Sequence, residues 1–297
     1  MAIEPNNDHL PTRREVLIMG ATGLVTLAGF GAGLTGKVFA ETMSSVKSSP
    51  ALEEGPYWID ETGKAFHRSD IRPNIDGKNI QRGLPLHLAL KVSQVHKGVV
   101  TPLPNAFVYL WCANALGVYS GEEQQGTAQD TYLRGYQVAD KNGLVRFLGL
   151  YPGWYGGRTV HIHARIRTYP GVNPSKKPIH DFETQLFFDD TISDHVMTKM
   201  APYNERPDRD TMNADDHVFM EPSLDGTRSN NSGKLMQMHV DTSASHATAS
   251  LQLVLDLSKH ARPGMPPGGF GGPPPGGFGG PPPDGMGGPP PPDDAPY

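Results

Sequence analysis

The sequence has one cysteine, Cys112, in 297 residues. A single thiol excludes an intramolecular disulfide framework, and it also excludes zinc sites built from several thiolates. It fits a chain that folds in a reducing compartment. We expect Cys112 to be a small buried hydrophobic residue.

The sequence also lacks a strong excess of charge of one sign. Its 26 Lys and Arg residues against 31 Asp and Glu residues give a formal net charge of -5. We therefore expect no nucleic-acid partner. The length allows one large domain or two small ones plus appendages, and the sequence does not indicate an oligomeric state.

The N-terminus has the pattern of an export signal. Arg13 and Arg14 precede a moderately apolar run rich in Gly and Thr, which ends at Ala40. This pattern predicts a twin-arginine signal peptide over residues 1–40, and hence an exported protein that is periplasmic or extracellular. Since the twin-arginine export machinery carries folded proteins, we expect a metal or cofactor to be acquired before export. An uncleaved membrane anchor is the alternative, and the six glycines of the run weigh against it.

The C-terminus is a low-complexity tail over residues 263–297. It repeats an eight-residue unit, GGFGGPPP, with Phe270, Phe278 and Met286 at equal spacing. Glycine raises the entropy cost of ordering and proline removes backbone donors, so we expect a flexible tail without a core. A solubilising or wall-spanning spacer is the simpler interpretation, and docking through the Phe residues is the alternative.

Residues 41–262 have the pattern of one all-β domain. Apolar side chains alternate in 84–92 and again in 250–257, as in strands with one buried face. Further candidate strands are 106–113, 143–150, 158–168 and 184–188. Helical periodicity is scarce, and the best short helix is expected at about 193–200. The sequence therefore predicts a β-sandwich with long functional loops and little helix.

Two histidines share one face of the candidate strand 158–168. Period two places His161 and His163 on the face opposite Val160 and Ile162. Such a pair can chelate one metal ion, but it can also make two separate sets of hydrogen bonds, and the pattern alone leaves both open. No glutamate follows at the spacing of a cupin, and the helices of an amidohydrolase barrel are not predicted.

Two tyrosines, Tyr119 and Tyr155, lie near this strand in the sequence. A phenol with a pKa of about 10 ionises readily only on a highly Lewis-acidic cation, for which ferric iron is the natural candidate. For either tyrosine alone, a packed aromatic ring with a hydrogen-bonded hydroxyl is the alternative.

Four motifs in order resemble one enzyme family. The sequence is similar to the intradiol ring-cleavage dioxygenases, the family of catechol 1,2-dioxygenase and protocatechuate 3,4-dioxygenase, and especially to their exported members. The likeness runs from EEGPYW at 53–58 to RDTMNADDHVF at 209–219, and its four motifs are VYLWCANALGVYS, TYLRGYQVADKNGLVRF, YPGWYGGRTVHIHARI and TQLFFDD.

The resemblance implies a β-sandwich that holds one mononuclear non-haem iron(III). Matched residue by residue, the metal ligands would be Tyr119, Tyr155, His161 and His163. Tyr155 would also leave the metal and act as a base.

The resemblance also implies roles for three further residues. Arg158 would lie near the substrate as a catalytic residue, and Gln185 would support it. Tyr57 would lie near the substrate pocket.

The activity implied by the resemblance is intradiol cleavage of a catechol-type diol with O2. The product would be a cis,cis-muconate-type dicarboxylic acid. A non-catalytic envelope module that binds phenolics or iron is the alternative from another functional class. The identity of the catechol is not indicated, because the pocket walls are expected in loops such as 67–82 and 201–217.

Overall fold

The computed structural model describes residues 47–59 and 63–259. The predicted signal peptide, residues 1–40, and the predicted tail, residues 263–297, lie outside the described residues. All described residues belong to one of the two units into which contacts divide the chain, residues 43–297.

Besides five short 3-10 helices, the described residues contain nine strands and two short α-helices. In chain order they are β1 (Pro85–His96), β2 (Val99–Pro102), β3 (Phe107–Trp111), β4 (Arg134–Val138), β5 (Leu144–Leu150), β6 (His161–Thr168), β7 (His180–Phe187), α1 (Asp190–Lys199), α2 (His217–Met220), β8 (His239–Thr242) and β9 (Ala247–Leu255).

The strands form two sheets. In the first sheet, β1 pairs with β2 and β5 in antiparallel fashion and with β9 in parallel, and β8 pairs with β9. In the second sheet the order is β4-β3-β6-β7, and all three pairings are antiparallel. The expected all-β sandwich with little helix is confirmed.

The core lies between the sheets and follows the alternation seen in the sequence. The apolar residues of β1, from Leu86 to Val92 at every second position, are buried, and they share one cluster with Ile162 and Ile166 of β6. Burying one aliphatic side chain contributes roughly 1.5–3 kcal/mol, so this shared cluster is what holds the sheets together.

The candidate strands and the helix lie close to where the sequence predicts them. Helix α1 begins at Asp190, earlier than expected, because the Asp189 side chain accepts a hydrogen bond from the backbone N–H of Thr191 and caps the first turn. Among the described residues, no helix is long and apolar enough to cross a membrane.

Strand β6 is buried on both faces. The apolar face packs in the core between the sheets, while the opposite face carries His161, His163 and Arg165, which are also buried. The segment 53–58 lies over part of this polar face, against His163 and Arg165. We call this segment the strap, and it forms one wall of the site described next.

Candidate metal centre

The two histidines of β6 converge on one point. They are two residues apart on one face of the strand, and their Nε2 atoms lie 3.2 Å apart. Both rings are buried. Two imidazole nitrogens held this close can bind the same cation.

Each histidine contacts one of the two predicted tyrosines. The Tyr119 Oη lies 3.0 Å from the His163 Nε2, and the Tyr155 Oη lies 3.2 Å from the His161 Nε2. Tyr119 follows β3 in a loop, whereas Tyr155 lies in the turn before β6 and pairs there with Arg158 in an isolated antiparallel bridge. The loop after β3 and the turn before β6 therefore bring two phenol oxygens next to the two imidazole nitrogens.

The orientation of both imidazoles is fixed by contacts behind them. The His161 Nδ1 lies 2.6 Å from the Thr159 carbonyl oxygen, so it donates its proton there and leaves Nε2 as the acceptor that faces the cluster. The ring of His163 stacks on that of Trp111, with centroids 4.8 Å apart and planes 6° apart. Gly55 of the strap lies against the same ring, where an added Cβ would overlap Cε1.

The protonation states suit a cation with these four ligands. Burial, followed by the nearby positive charge of Arg158, lowers the pKa of His161 well below its ordinary value. Burial likewise lowers the pKa of His163. Burial also raises the pKa of Tyr119 and that of Tyr155 above their ordinary value. By itself the cluster therefore holds two neutral imidazoles and two neutral phenols, and a strongly Lewis-acidic cation is what would ionise the phenols.

The donor set fits ferric iron. The part of the chain that the structure describes contains no group of three or more His, Cys, Asp or Glu side chains that could hold a metal. This cluster differs because half of its donors are phenols, which are hard anionic ligands once ionised. Together with two neutral imidazoles they match a hard trivalent ion.

Arg158 lies beside the cluster in a fixed position. Its Nε donates to the Asp216 Oδ2 at 2.8 Å, and its Nη2 donates to the Gln185 Oε1 at 2.6 Å. The guanidinium charge acts to lower the pKa of both Tyr119 and Tyr155. The arrangement can place positive charge next to an oxygen anion in the site.

The strap crosses the polar face of the second sheet and is tethered at several points. Tyr57 of the strap has a φ of 73°, which is costly for an aromatic residue, and its ring lies 4.7 Å from that of Tyr119. Four sheet side chains hold the strap: Gln185 donates to the Glu53 carbonyl, Arg165 pairs with the Glu54 carboxylate, Trp111 donates to the Pro56 carbonyl and Arg134 donates to the Tyr57 carbonyl.

An ionic network anchors the strap next to the cluster. Arg165 contacts the carboxylates of Glu54, Asp181 and Glu183 at 2.7–2.9 Å. Its guanidinium also lies over the Trp58 ring, 4.7 Å from the centroid. Burial raises the pKa of Glu183 to about 8 in spite of the adjacent positive charge. Arg167 also contacts Asp181, at 3.1 Å, so two guanidinium groups face three acidic side chains.

The structure brings every sequence-predicted site residue into one connected cluster. The predicted residues are Tyr57, Tyr119, Tyr155, Arg158, His161, His163 and Gln185. Their assignments as ligands or catalytic residues stay predictions.

Sequence reasoning missed Asp216, Trp111 and Gly55. Asp216 lies in the motif RDTMNADDHVF, but no spacing relates it to Arg158. Trp111 is set opposite His163 by the antiparallel pairing of β3 with β6, and the sequence carries no signal for that pairing.

Comparison with known proteins gives matches to dioxygenases. A family model described as Dioxygenase matches residues 53–204. A solved structure named an intradiol ring-cleavage dioxygenase from Tetranychus urticae is 28% identical, with a TM-score of 0.56, and the match covers 72% of this chain and 97% of that one. A second structure, named a dioxygenase, is 29% identical, with the same TM-score and coverage.

A more distant match is a 3-chlorocatechol 1,2-dioxygenase from Rhodococcus opacus 1CP. It is 18% identical, with a TM-score of 0.44, and the match covers 74% of this chain and 77% of that one. No curated protein sequence matches the chain significantly.

Proposed function

This chain belongs to the intradiol ring-cleavage dioxygenases, enzymes that open catechol-type rings, and from that premise we propose that it uses one mononuclear iron(III) and O2. The proposed product is a cis,cis-muconate-type dicarboxylic acid. The diacid formed from catechol has the atoms of the diol and of one O2 and no others. Both oxygen atoms therefore enter the product, and no external reductant is needed.

One observation carries the proposal. The Oη atoms of Tyr119 and Tyr155 and the Nε2 atoms of His161 and His163 form a chain of contacts of 3.0, 3.2 and 3.2 Å. These are the four residues that the family resemblance implies as ligands. When bound there, ferric iron would withdraw electron density from a catechol and favour its doubly deprotonated form.

Tyr155 is the residue suited to move a proton. It lies in a turn and is partly exposed, whereas Tyr119 is buried, with a relative exposure of 1%. Once ionised by a bound ferric ion, the Tyr155 phenolate oxygen would be able to accept a proton from a diol hydroxyl, while the buried Tyr119 would stay in place. Its distance of 3.2 Å from the His161 Nε2 keeps it next to the place where the diol would bind.

Arg158 supplies the positive charge of the site. Cleavage between the two oxygen-bearing carbons requires negative charge to build up on the ring and its oxygens. A guanidinium already fixed by Asp216 and Gln185 can stabilise that charge without reorganising. Gln185 also ties Arg158 to the strap, since its Nε2 donates to the Glu53 carbonyl at 3.1 Å.

Purified protein provides the test. We expect about one iron per chain, a visible band from phenolate-to-iron charge transfer, and a shift of that band when catechol is added without oxygen. Admission of oxygen should consume one O2 per catechol and give the diacid. Arg158→Ala should keep iron and colour and lower kcat on the order of a hundredfold. A colourless zinc protein, or a semialdehyde product from cleavage outside the diol, would overturn the proposal.

The non-catalytic alternative is not supported, because the family to which the chain belongs consists of enzymes.

Export is a separate part of the proposal. Its support is the sequence alone, in which Arg13 and Arg14 precede an apolar run that ends at Ala40.

A further inference from the structure

Asp216 is a fully buried carboxylate beside the candidate metal centre. It has no exposed surface, and it comes from the segment 209–219, far in sequence from β6. A buried carboxylate is costly unless it is hydrogen-bonded and paired with a positive charge. Asp216 meets this requirement through three donors.

One oxygen of Asp216 serves two neighbours at once. The Oδ2 accepts from the Arg158 Nε and from the Thr159 backbone N–H, both at 2.8 Å. The Oδ1 accepts from the Phe219 backbone N–H at 2.9 Å and so caps α2. The carboxylate therefore joins α2 to the residues just before β6.

The contact with Arg158 fixes the plane of its guanidinium. Asp216 holds Nε and Gln185 holds Nη2, and a planar group held at two nitrogens cannot rotate. Asp216 also supplies the negative charge that makes a buried arginine tolerable. Gln185 is neutral and supplies only the second point of attachment.

The contact with Thr159 extends to a candidate ligand. The Thr159 N–H donates to Asp216, and the Thr159 carbonyl accepts from the His161 Nδ1 at 2.6 Å. Asn213, from the same segment, accepts from the Thr159 hydroxyl at 2.8 Å and provides a second hold on this residue. Thr159 is therefore hydrogen-bonded to both Asp216 and Asn213, so loss of Asp216 would leave it one of these contacts. Arg158 would lose its ion pair.

We propose that Asp216 is a positioning residue that acts through Arg158, with a secondary effect on His161 through Thr159. This inference rests on the proposed function, because the orientation of Arg158 matters only for a reaction in which charge develops next to it. The main effect of losing the carboxylate charge is expected on substrate binding and turnover rather than on iron retention.

Asp216→Asn is the informative variant. Asparagine keeps the size and one acceptor oxygen, with which it can still cap α2. It removes the charge and sets an NH2 group in place of the oxygen that accepts from Arg158 and Thr159. The matched control is Asp215→Asn, the same change at the exposed neighbouring residue. For both variants the measurements are iron per chain, iron loss to a chelator, the dissociation constant of 4-nitrocatechol without oxygen, kcat and KM.

We expect Asp216→Asn to keep most of its iron, to bind 4-nitrocatechol about tenfold more weakly and to lose about 10- to 100-fold in kcat/KM. Asp215→Asn should match the wild type. If Asp216 acts through Arg158, Asp216→Asn should cause little further loss of kcat when added to Arg158→Ala, since the two changes would remove the same interaction. Full additivity of the two losses would show a general structural role and overturn the inference.

The outcomes separate this inference from the proposed function. If the wild type cleaves catechols and Asp216→Asn behaves like Asp215→Asn, the inference is wrong and the function stands. If the wild type binds no iron and consumes no oxygen with catechols, the function fails and the inference fails with it. Should Asp216→Asn not fold, Asp216→Ser, which also retains the helix cap, is measured in the same way, and wild-type kinetics in it would equally refute the role.

Discussion

Gly55→Ala tests the contact between the strap and the candidate metal centre. Gly55 has a φ of 75°, and an added Cβ would overlap the His163 Cε1 and lie 3.0 Å from its Nδ1. The variant therefore meets two costs, one from the backbone conformation and one from the ring. Because the ring belongs to a proposed ligand, the second cost should also appear in iron binding.

Gly77→Ala is the matched control, because it separates the two costs. Gly77 has a φ of 81°, and an added Cβ would meet nothing within 4 Å. A left-handed conformation costs a residue with a Cβ about 1–2 kcal/mol, and both variants incur this cost. Overpacking against a buried ring adds about 1–3 kcal/mol, and only Gly55→Ala incurs it. The two variants should thus differ by about 1–3 kcal/mol in the free energy of unfolding.

The first measurement is urea unfolding of both variants, and the dependence of the unfolding free energy on urea concentration is compared with that of the wild type. The second is the iron content per chain after dialysis against a chelator. Gly55→Ala should lose iron because the His163 ring has to move, and Gly77→Ala should retain it. Equal losses of stability together with equal iron retention would refute the conclusion that Gly55 holds the ring in place.

Four further predictions follow from the site, the network and the termini. His163→Ala should lose both iron and visible colour, measured by metal analysis and absorbance, and retained colour would exclude His163 as a ligand. Burial raises the pKa of Glu183 to about 8, above its unfolded value, so its contribution to stability is present below the unfolded pKa and is lost as the pH rises toward 8. The free energy of unfolding should therefore fall with pH between pH 5 and 8, by up to about 1.4 kcal/mol per pH unit from this group. Glu183→Gln should remove that pH dependence, as measured in unfolding curves across the same range. Changing Arg13 and Arg14 to Lys should keep the protein in the cytoplasm with its N-terminus uncut, as shown by cell fractionation and N-terminal sequencing. Truncation at Pro263 should leave the Tm and turnover nearly unchanged, and a large loss of either would show that the tail contributes to the fold.

The fold was predictable because its main signal is local. Alternation of apolar residues at Leu86, Leu88 and Leu90 predicts one buried face whatever the partner strand is, and the sheets form where that face is covered. The start of α1 was less predictable, since it depends on the Asp189 cap rather than on apolar periodicity. Strand pairing could not be derived from periodicity, because β1 lies next to β9, which is far along the chain.

The side chains that face the centre of the candidate site were predictable from the sequence. The residues that hold those side chains in place were not. A His-x-His pair on a strand and two nearby tyrosines, set in motifs that resemble one family, were enough to select the four side chains that we propose as metal ligands. Trp111, Gly55 and Asp216 escaped because each acts through a contact between distant parts of the chain.

The sequence by itself determined which faces of the strands are apolar and which side chains share a face, because both follow from a period of two along one strand. Only the tertiary structure decided that the polar face of β6 is buried, since the strap that covers it comes from a distant, earlier part of the chain. Burial in turn shifts the pKa values of the tyrosines and histidines, because low-dielectric surroundings disfavour the charged form of each. The sequence thus supplied the four donors, and the packing around them set the protonation states that suit a cation.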